Sequence, residues 1–366
     1  MQLLDYFTAN QIQKTLESYE HHKHHKLYKP MMDNLIIKDI LFHKKQFAQA
    51  LSHDLRKEQF IYPTIQGLVK IKNHKERPVF QVTGSSYIIQ SMLMNILHKG
   101  YDKKLSDQLY SYRKGRHARH AVQHLAARIR HRTSAKQAIS DHYVYQSDIR
   151  DYAGTIATHP ESYLWKKVHQ ILKACGFADL TPYEQHLVHG AIAPTICPTS
   201  KAQRPRDYGL TQGLPLVNWV CNIYLDHLDH QLSDIPNVDY IRYCDDILLI
   251  SPCMDHLDAS IAVLQSGLAS LGLSIHPEKE KRIFLTRAGR PCDQPNYIGS
   301  SRIALLGYHI EANGNISPGR RKMKKFIAKI RHRIHTINHA FHQEPERIRC
   351  QLICQGVNAL LGLESS

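Results

Sequence analysis

The chain is short of acid. Against 48 Lys and Arg it sets only 32 Asp and Glu in 366 residues, a formal net charge of +16 with His neutral. That imbalance exceeds what solubility asks for and points to a polyanionic partner, either nucleic acid or an anionic membrane face. Long apolar runs are also missing. No stretch approaches the roughly 18–20 residues that cross a bilayer, and Asp5 stands where a secretory leader carries Lys or Arg. The expectation is a cytoplasmic protein with no membrane partner. Eight cysteines are present but none forms a C-x-x-C pair, which argues against zinc ribbons and dithiol redox motifs. Cys350 and Cys354, four apart on an expected helix, read as buried thiols. No period recurs, so collagen-like, mucin-like and repeat-array architectures are excluded. What remains is 42% hydrophobic, enough for a sizeable core in two or three folded units of about 150 residues.

Histidine, by contrast, is abundant, and the run His21-His22-Lys23-His24-His25 is the densest cluster. It reads as a solvated patch that gains charge below the ordinary imidazole pKa of about 6.5. Apolar spacing predicts helices over 35–60, 86–98, 160–174, 215–232, 259–272 and 317–342. Pro160 and Gly176 punctuate the third of these. Between the first two, Gly67–Lys72 and Arg77–Thr83 read as a β-hairpin. Residues 142–148 read as a strand, 197–209 as a basic loop and 239–251 as strand–turn–strand, with short strands to about 312.

Two strings carry chemistry. In Tyr240–Ile250, two β-rich runs flank Asp245-Asp246. Adjacent carboxylates repel, which raises one pKa or calls for a cation, and a hard divalent ion wants such oxygens. Taken alone, a polar turn between core strands explains the pair as well, since Asp is an ordinary turn residue. In Tyr143–Ala153, alternation runs along a strand and stops at Asp148. If that strand lies beside the hairpin, three carboxylates meet. Three carboxylates suit two metal ions, one activating a 3′-hydroxyl and the other stabilising leaving pyrophosphate.

The hairpin resembles the Tyr-x-Asp-Asp motif of reverse transcriptases. Other strings resemble that family's blocks in family order: Arg77-Pro-Val-Phe-Gln-Val, Ser111–Arg116, Gln212-Gly213 with Asn222–Leu225, Gly272–Lys279 and Leu306-Gly-Tyr308. The chain is similar to compact bacterial reverse transcriptases of the group II intron, retron, diversity-generating and phage-defence kinds over roughly residues 30–335. The resemblance implies an α+β right-hand polymerase fold. Helices and fingers would occupy 1–140, the palm 141–312 with a fingers-like insertion near 177–211, and a short helical thumb and tail 313–366. It implies RNA-directed DNA synthesis with two Mg²⁺ ions, Mn²⁺ being a possible substitute. Asp148, Asp245, Asp246 and the carbonyl of Ile149 would hold the metals. Arg77 and, more weakly, Lys72 would grip the triphosphate, Gln212 and Gly213 would line the pocket, and Lys279 would approach the phosphates. The implied partners are an RNA template (a dedicated non-coding RNA), deoxynucleoside triphosphates and DNA product, with a partner protein or second copy to help choose the template.

Two departures bear on specificity. The family's bulky aromatic five residues after the first metal Asp is here Ala153, beside Tyr152. Either sugar discrimination is relaxed or Tyr152 supplies the bulk. The usual Ser-Pro after Gln-Gly is Val217-Asn218, which suits a specialised template, untemplated synthesis or simple drift in a packing segment. Two basic clusters flank the site in sequence: Arg113, Lys114, Arg116 and Arg119, then Arg320, Arg321, Lys324 and Lys325. Both read as contacts to nucleic-acid backbone. Alternatives of other kinds are a template-independent or protein-templated nucleotidyltransferase on the same palm and a catalytically silent RNA-binding scaffold.

Overall fold

The computed structural model describes residues 1–20, 31–72, 75–134, 141–201 and 207–361, with side chains excluded at 72, 75, 77 and 358–361. The His21–His25 run and positions 202–206 of the basic loop lie outside the described residues. In chain order the elements are α1 (Ala9–Glu17), α2 (Ile37–Phe42), α3 (Lys44–Arg56), β1 (Gln66–Lys72), β2 (Lys75–Gln81), α4 (Gly84–Tyr101), α5 (Ala118–Ser134), β3 (His142–Asp148), α6 (Tyr152–Thr155), α7 (Tyr163–Ala174), α8 (Pro182–Ile192), α9 (Val217–Tyr224) and α10 (Asp226–Ser233). Then follow β4 (Asp239–Tyr243), β5 (Asp246–Ser251), α11 (Met254–Ser270), β6 (Lys281–Leu285), β7 (Ile298–Ser300), β8 (Arg302–Leu305), β9 (Tyr308–Glu311), β10 (Ile316–Pro318), α12 (Arg320–Ala340) and α13 (Glu346–Leu361). No described helix is long and apolar enough to cross a membrane.

The chain divides into two compact units, Met1–Ala121 with Tyr143–Arg282, and Val122–His142 with Ile283–Ser366. In the first, β5 lies between β4 and β3, antiparallel to both. These strands are buried on both faces: Ile247, Leu248, Leu249 and Ile250 are each at most 3% exposed, which explains their unbroken apolar run. Helix α7 buries Leu164, Trp165, Val168, Ile171 and Leu172, a single helical stripe. The β1–β2 hairpin appears in the expected place, with Lys70 opposite Arg77 and Lys72 opposite Lys75.

Three local expectations fail for physical reasons. The single helix expected over 215–232 is broken at Leu225, whose ψ of 5° leaves the helical range. The break starts α10 at Asp226, a buried carboxylate that takes Tyr101 Oη at 2.8 Å and Lys167 Nζ at 2.9 Å. The helix expected over 35–60 breaks likewise at His43, which caps α2 and precedes α3. Cys350 and Cys354 are exposed on α13, not buried, because that helix turns other residues, such as Gly356, towards Ile337 and Arg333 of α12.

In the second unit, β8, β9 and β10 form an antiparallel sheet and β6 pairs in parallel with β7. Arg130 of α5 donates to the Gly314 carbonyl at 2.6 Å, closing the turn after β9. Helix α12 buries only Ile337 and leaves most of its basic residues in solvent, while Lys322 sets its ammonium over the Tyr308 ring.

Candidate active site

The register of β3 and β5 sets two of the three carboxylates side by side. Asp148, last residue of β3, pairs with Asp246, first residue of β5. Directly opposed residues of an antiparallel pair project to the same face with Cβ atoms about 5 Å apart. The Ile149 N–H donates to the Asp245 carbonyl at 3.0 Å, which ties the end of β3 to the hairpin tip. Asp148 is 9% exposed, Asp245 is half-buried and Asp246 faces solvent. Desolvation and the charge on Asp148 push the Asp245 carboxyl above the ordinary range. Asp246 is pushed up to about 6, by desolvation and then by Asp245 and Asp148. Such repulsion is what a divalent cation with oxygen ligands relieves. Among the described residues no three His, Cys, Asp or Glu side chains already converge as metal ligands, and the Asp148 carboxylate is instead engaged by Lys279, 2.6 Å away. The donor set fits hard cations in its oxygen chemistry, and strand register supplies two of its members side by side, Asp148 and Asp246.

The hairpin tip is held by residues whose roles the motif reading missed. Cys244 adopts φ +63°, a left-handed conformation costly for a non-glycine residue. Its N–H donates to Ser111 Oγ at 2.9 Å, and Ser111 Oγ donates to Asn222 Oδ1 at 3.1 Å. Beneath it, Arg242 is fully buried. Its guanidinium makes a bidentate pair with Asp229 and also donates to the carbonyls of Asn222 and Cys244, at 3.0 and 3.2 Å. Tyr240 Oη adds a third bond to Asp229 at 2.7 Å. The available signal was an arginine between the apolar Ile241 and Tyr243 of a buried strand, which demands a buried acid.

Beside the carboxylates, α6 meets the loop that leads to Gln212-Gly213. Leu210 N–H donates to the Ala153 carbonyl at 2.8 Å and Gly209 N–H to that of Ile156 at 2.8 Å. Gly213 has φ +95°, and a Cβ there would lie 3.8 Å from the Val79 side chain of β2. Gln212 and Ala153 are half-buried. Tyr152 does not supply the missing bulk: it is 5% exposed and its hydroxyl donates to the Cys221 carbonyl. Val217 and Trp219 are core residues, the indole packing edge-on against His98 and Tyr101 of α4. Lys72 and Arg77 lie on the β1–β2 hairpin, their side chains outside those described.

The basic residues separate. Lys114 and Arg119 are exposed, as are Arg320, Arg321, Lys324 and Lys325. Arg113, expected on the nucleic-acid surface, is 6% exposed and is spent inside the fold, donating to Asp102 and to the carbonyls of Asp102 and Ser106. Its burial requires those acceptors and removes it from any surface contact. Arg116 is half-buried and paired with Asp107.

Mixed helices and antiparallel strands, with Asp148 paired to Asp246 beside the Asp245-Asp246 turn, have the right-hand polymerase fold, and solved structures carry the same α+β fold. A truncated apo telomerase from Candida tropicalis superposes with TM-score 0.52 at 12% identity, covering 70% of this chain and 55% of its own. Telomerase from Candida albicans with a TWJ fragment of telomeric RNA gives 0.52 at 12%, covering 84% and 56%. The corresponding Candida tropicalis complex gives 0.53 at 14%, covering 83% and 54%. The chain thus spans about half the length of these structures. No curated protein matches it. The model of the reverse transcriptase (RNA-dependent DNA polymerase) family matches residues 69–310, well over half of the sequence, and the chain belongs to that family.

Proposed function

We propose that the protein is an RNA-directed DNA polymerase that extends a primer 3′-hydroxyl with deoxynucleotides. The observation that carries this reading is the pairing of Asp148 with Asp246 across β3 and β5. Asp148, Asp245 and Asp246, with the Ile149 carbonyl, would hold two Mg²⁺ ions, or Mn²⁺ in their place. Those ions would supply acidity at the 3′-hydroxyl and charge neutralisation at the departing pyrophosphate. The chain's own residues bind and orient. Lys279, Arg77 and Lys72 meet the triphosphate as donors suited to phosphate oxygens. Gly213, with no side chain, leaves room for a nucleotide beside Gln212. The new bond joins the primer oxygen to the α-phosphorus as the bond to the β-phosphate breaks. Ala153 leaves the sugar side of the pocket open, so ribonucleotides are poorly rejected.

Lys114, Arg116, Arg119, Arg320, Arg321, Lys324 and Lys325 are the proposed backbone contacts, which bind without reading sequence. The proposed division is fingers in 1–140, palm in 141–312 and thumb in 313–366. The proposed template is one dedicated RNA; two of the structural neighbours hold a fragment of telomeric RNA. A cytoplasmic role in bacterial antiviral defence extends the resemblance to compact bacterial enzymes.

The test is primer extension with Mg²⁺ on an RNA template, supplied with deoxy- or ribonucleotides, for the native chain and Asp245→Asn. Templated products lost in the variant support the reading, and ribonucleotide incorporation supports the open pocket. Extension that ignores the template would make the protein a template-independent transferase, and no extension by the native chain would leave an RNA-binding scaffold.

A further inference from the structure

We propose that Lys279 is a resident counter-ion of Asp148 that competes with divalent cations for this carboxylate and passes to the nucleotide triphosphate when displaced, so that metal and nucleotide bind cooperatively. The inference rests on the polymerase reading and deepens it.

The geometry separates an anchored backbone from a movable charge. Lys279 closes a short 3₁₀ turn, Pro277–Lys279, and its N–H donates to the His276 carbonyl at 3.0 Å. That turn is fastened to the end of β3: His276 N–H donates to the Asp148 carbonyl at 2.8 Å, Arg150 N–H donates to the Ser274 carbonyl at 2.8 Å, and Ile275 bridges Ile149. The lysine stem therefore starts from the same strand end that carries Asp148. Its ammonium reaches Asp148 Oδ1 at 2.6 Å, yet the Lys279 side chain is 51% exposed while that of Asp148 is 13% exposed. A hydrated ammonium on a four-carbon stem is a replaceable partner, able to swing without moving the backbone. Arg242 is the contrast: wholly buried, with four bonds to protein oxygens, it cannot leave.

A cation bound directly to Asp148 would meet the ammonium at like-charge distance. One of the two must give way, and the exposed lysine is the one free to move. Its charge also acts on Asp245 and Asp246, so the whole carboxylate group feels its departure. The released ammonium needs a new anion, and a triphosphate is the anion a polymerase supplies. Linkage then makes each ligand favour the other by the same factor.

The experiment measures Mn²⁺ binding to the full chain at one pH without nucleic acid, reading free Mn²⁺ by electron paramagnetic resonance. The chains are native, Lys279→Met, Lys279→Arg and Asp148→Asn, each first shown to melt cooperatively. Lys279→Met is expected to bind Mn²⁺ about fivefold tighter than native, the scale of a partly exposed ion pair, and Lys279→Arg to stay close to native. Adding a deoxynucleotide with an α,β-imido bridge should tighten Mn²⁺ binding in the native chain and do so less in Lys279→Met. Equal or weaker Mn²⁺ binding by Lys279→Met, with native binding intact and Asp148→Asn impaired, overturns the counter-ion and leaves the polymerase site standing. Native binding that Asp148→Asn does not impair, or no native binding, overturns both.

Discussion

The β4–β5 hairpin and helix α12 both concentrate charge, and they hold it in opposite ways. At the hairpin every charge is placed. Asp148 and Asp246 meet by strand register, and the turn between the strands is braced by Ser111, Asn222 and the buried Arg242–Asp229 pair. On α12 the corresponding charges are exposed: Arg320, Arg321, Lys324 and Lys325 stand in solvent, and only Ile337 of the whole helix is buried. The difference matches the two tasks proposed for them. Phosphoryl transfer depends on positioning, where a small displacement is costly. Holding a polyanion's backbone needs charge density and a salt-dependent release of counterions, not fixed geometry. On the proposed function, fixed geometry serves the place where bonds would change and exposed charge serves the surface where a strand would lie.

The largest expected effect breaks the rigid side. Arg242→Met leaves the Asp229 carboxylate buried without its cation, which should cost about 3–5 kcal/mol of stability. Denaturant unfolding checks this, and Arg242→Met with Asp229→Leu should recover most of the loss. An Arg242→Met chain as stable as native would mean the brace is ornamental.

Next comes the exposed side. Replacing Arg320, Arg321, Lys324 and Lys325 with Ala should leave the melting temperature nearly unchanged. The slope of log affinity for duplex against log salt should flatten by about one per lost phosphate contact. An unchanged slope would remove α12 from the binding surface.

The smallest effect is titration. Asp246 is raised to about 6 from an ordinary value near 4, so between those values the folded chain binds more protons than the unfolded one. Its contribution to stability is full below about pH 4 and is lost as pH rises through about 6. Without divalent ions, the melting-temperature gain from Asp246→Asn over native should therefore grow from pH 4.5 to 7. A gain that shrinks over that range contradicts the repulsion at the tip.

The same contrast decides what could be read in advance. Alternation ending at Asp148, and the β-rich runs around Asp245-Asp246, located the carboxylates because local periodicity reports strands directly. The charges of α12 were legible for the same reason, as composition on one helix. What stayed hidden was pairwise. Arg113 and Arg242 look alike as residues, yet one had been placed on the surface and the other passed over, and both are buried against acceptors up to 11 and 20 positions away, respectively. Tyr152 looked free to enter the pocket until its hydroxyl was found on Cys221, 69 positions distant. Long-range polar partners leave no periodic trace. The Lys279–Asp148 pair, 131 positions apart by their numbers, belongs to the same class.

The most direct test is anomalous diffraction from crystals soaked in Mn²⁺. The account predicts a peak coordinated by oxygens of Asp148 and Asp246 together, at the mouth of the β3–β5 pair. A peak elsewhere, or ordered crystals with none at that site, would contradict it.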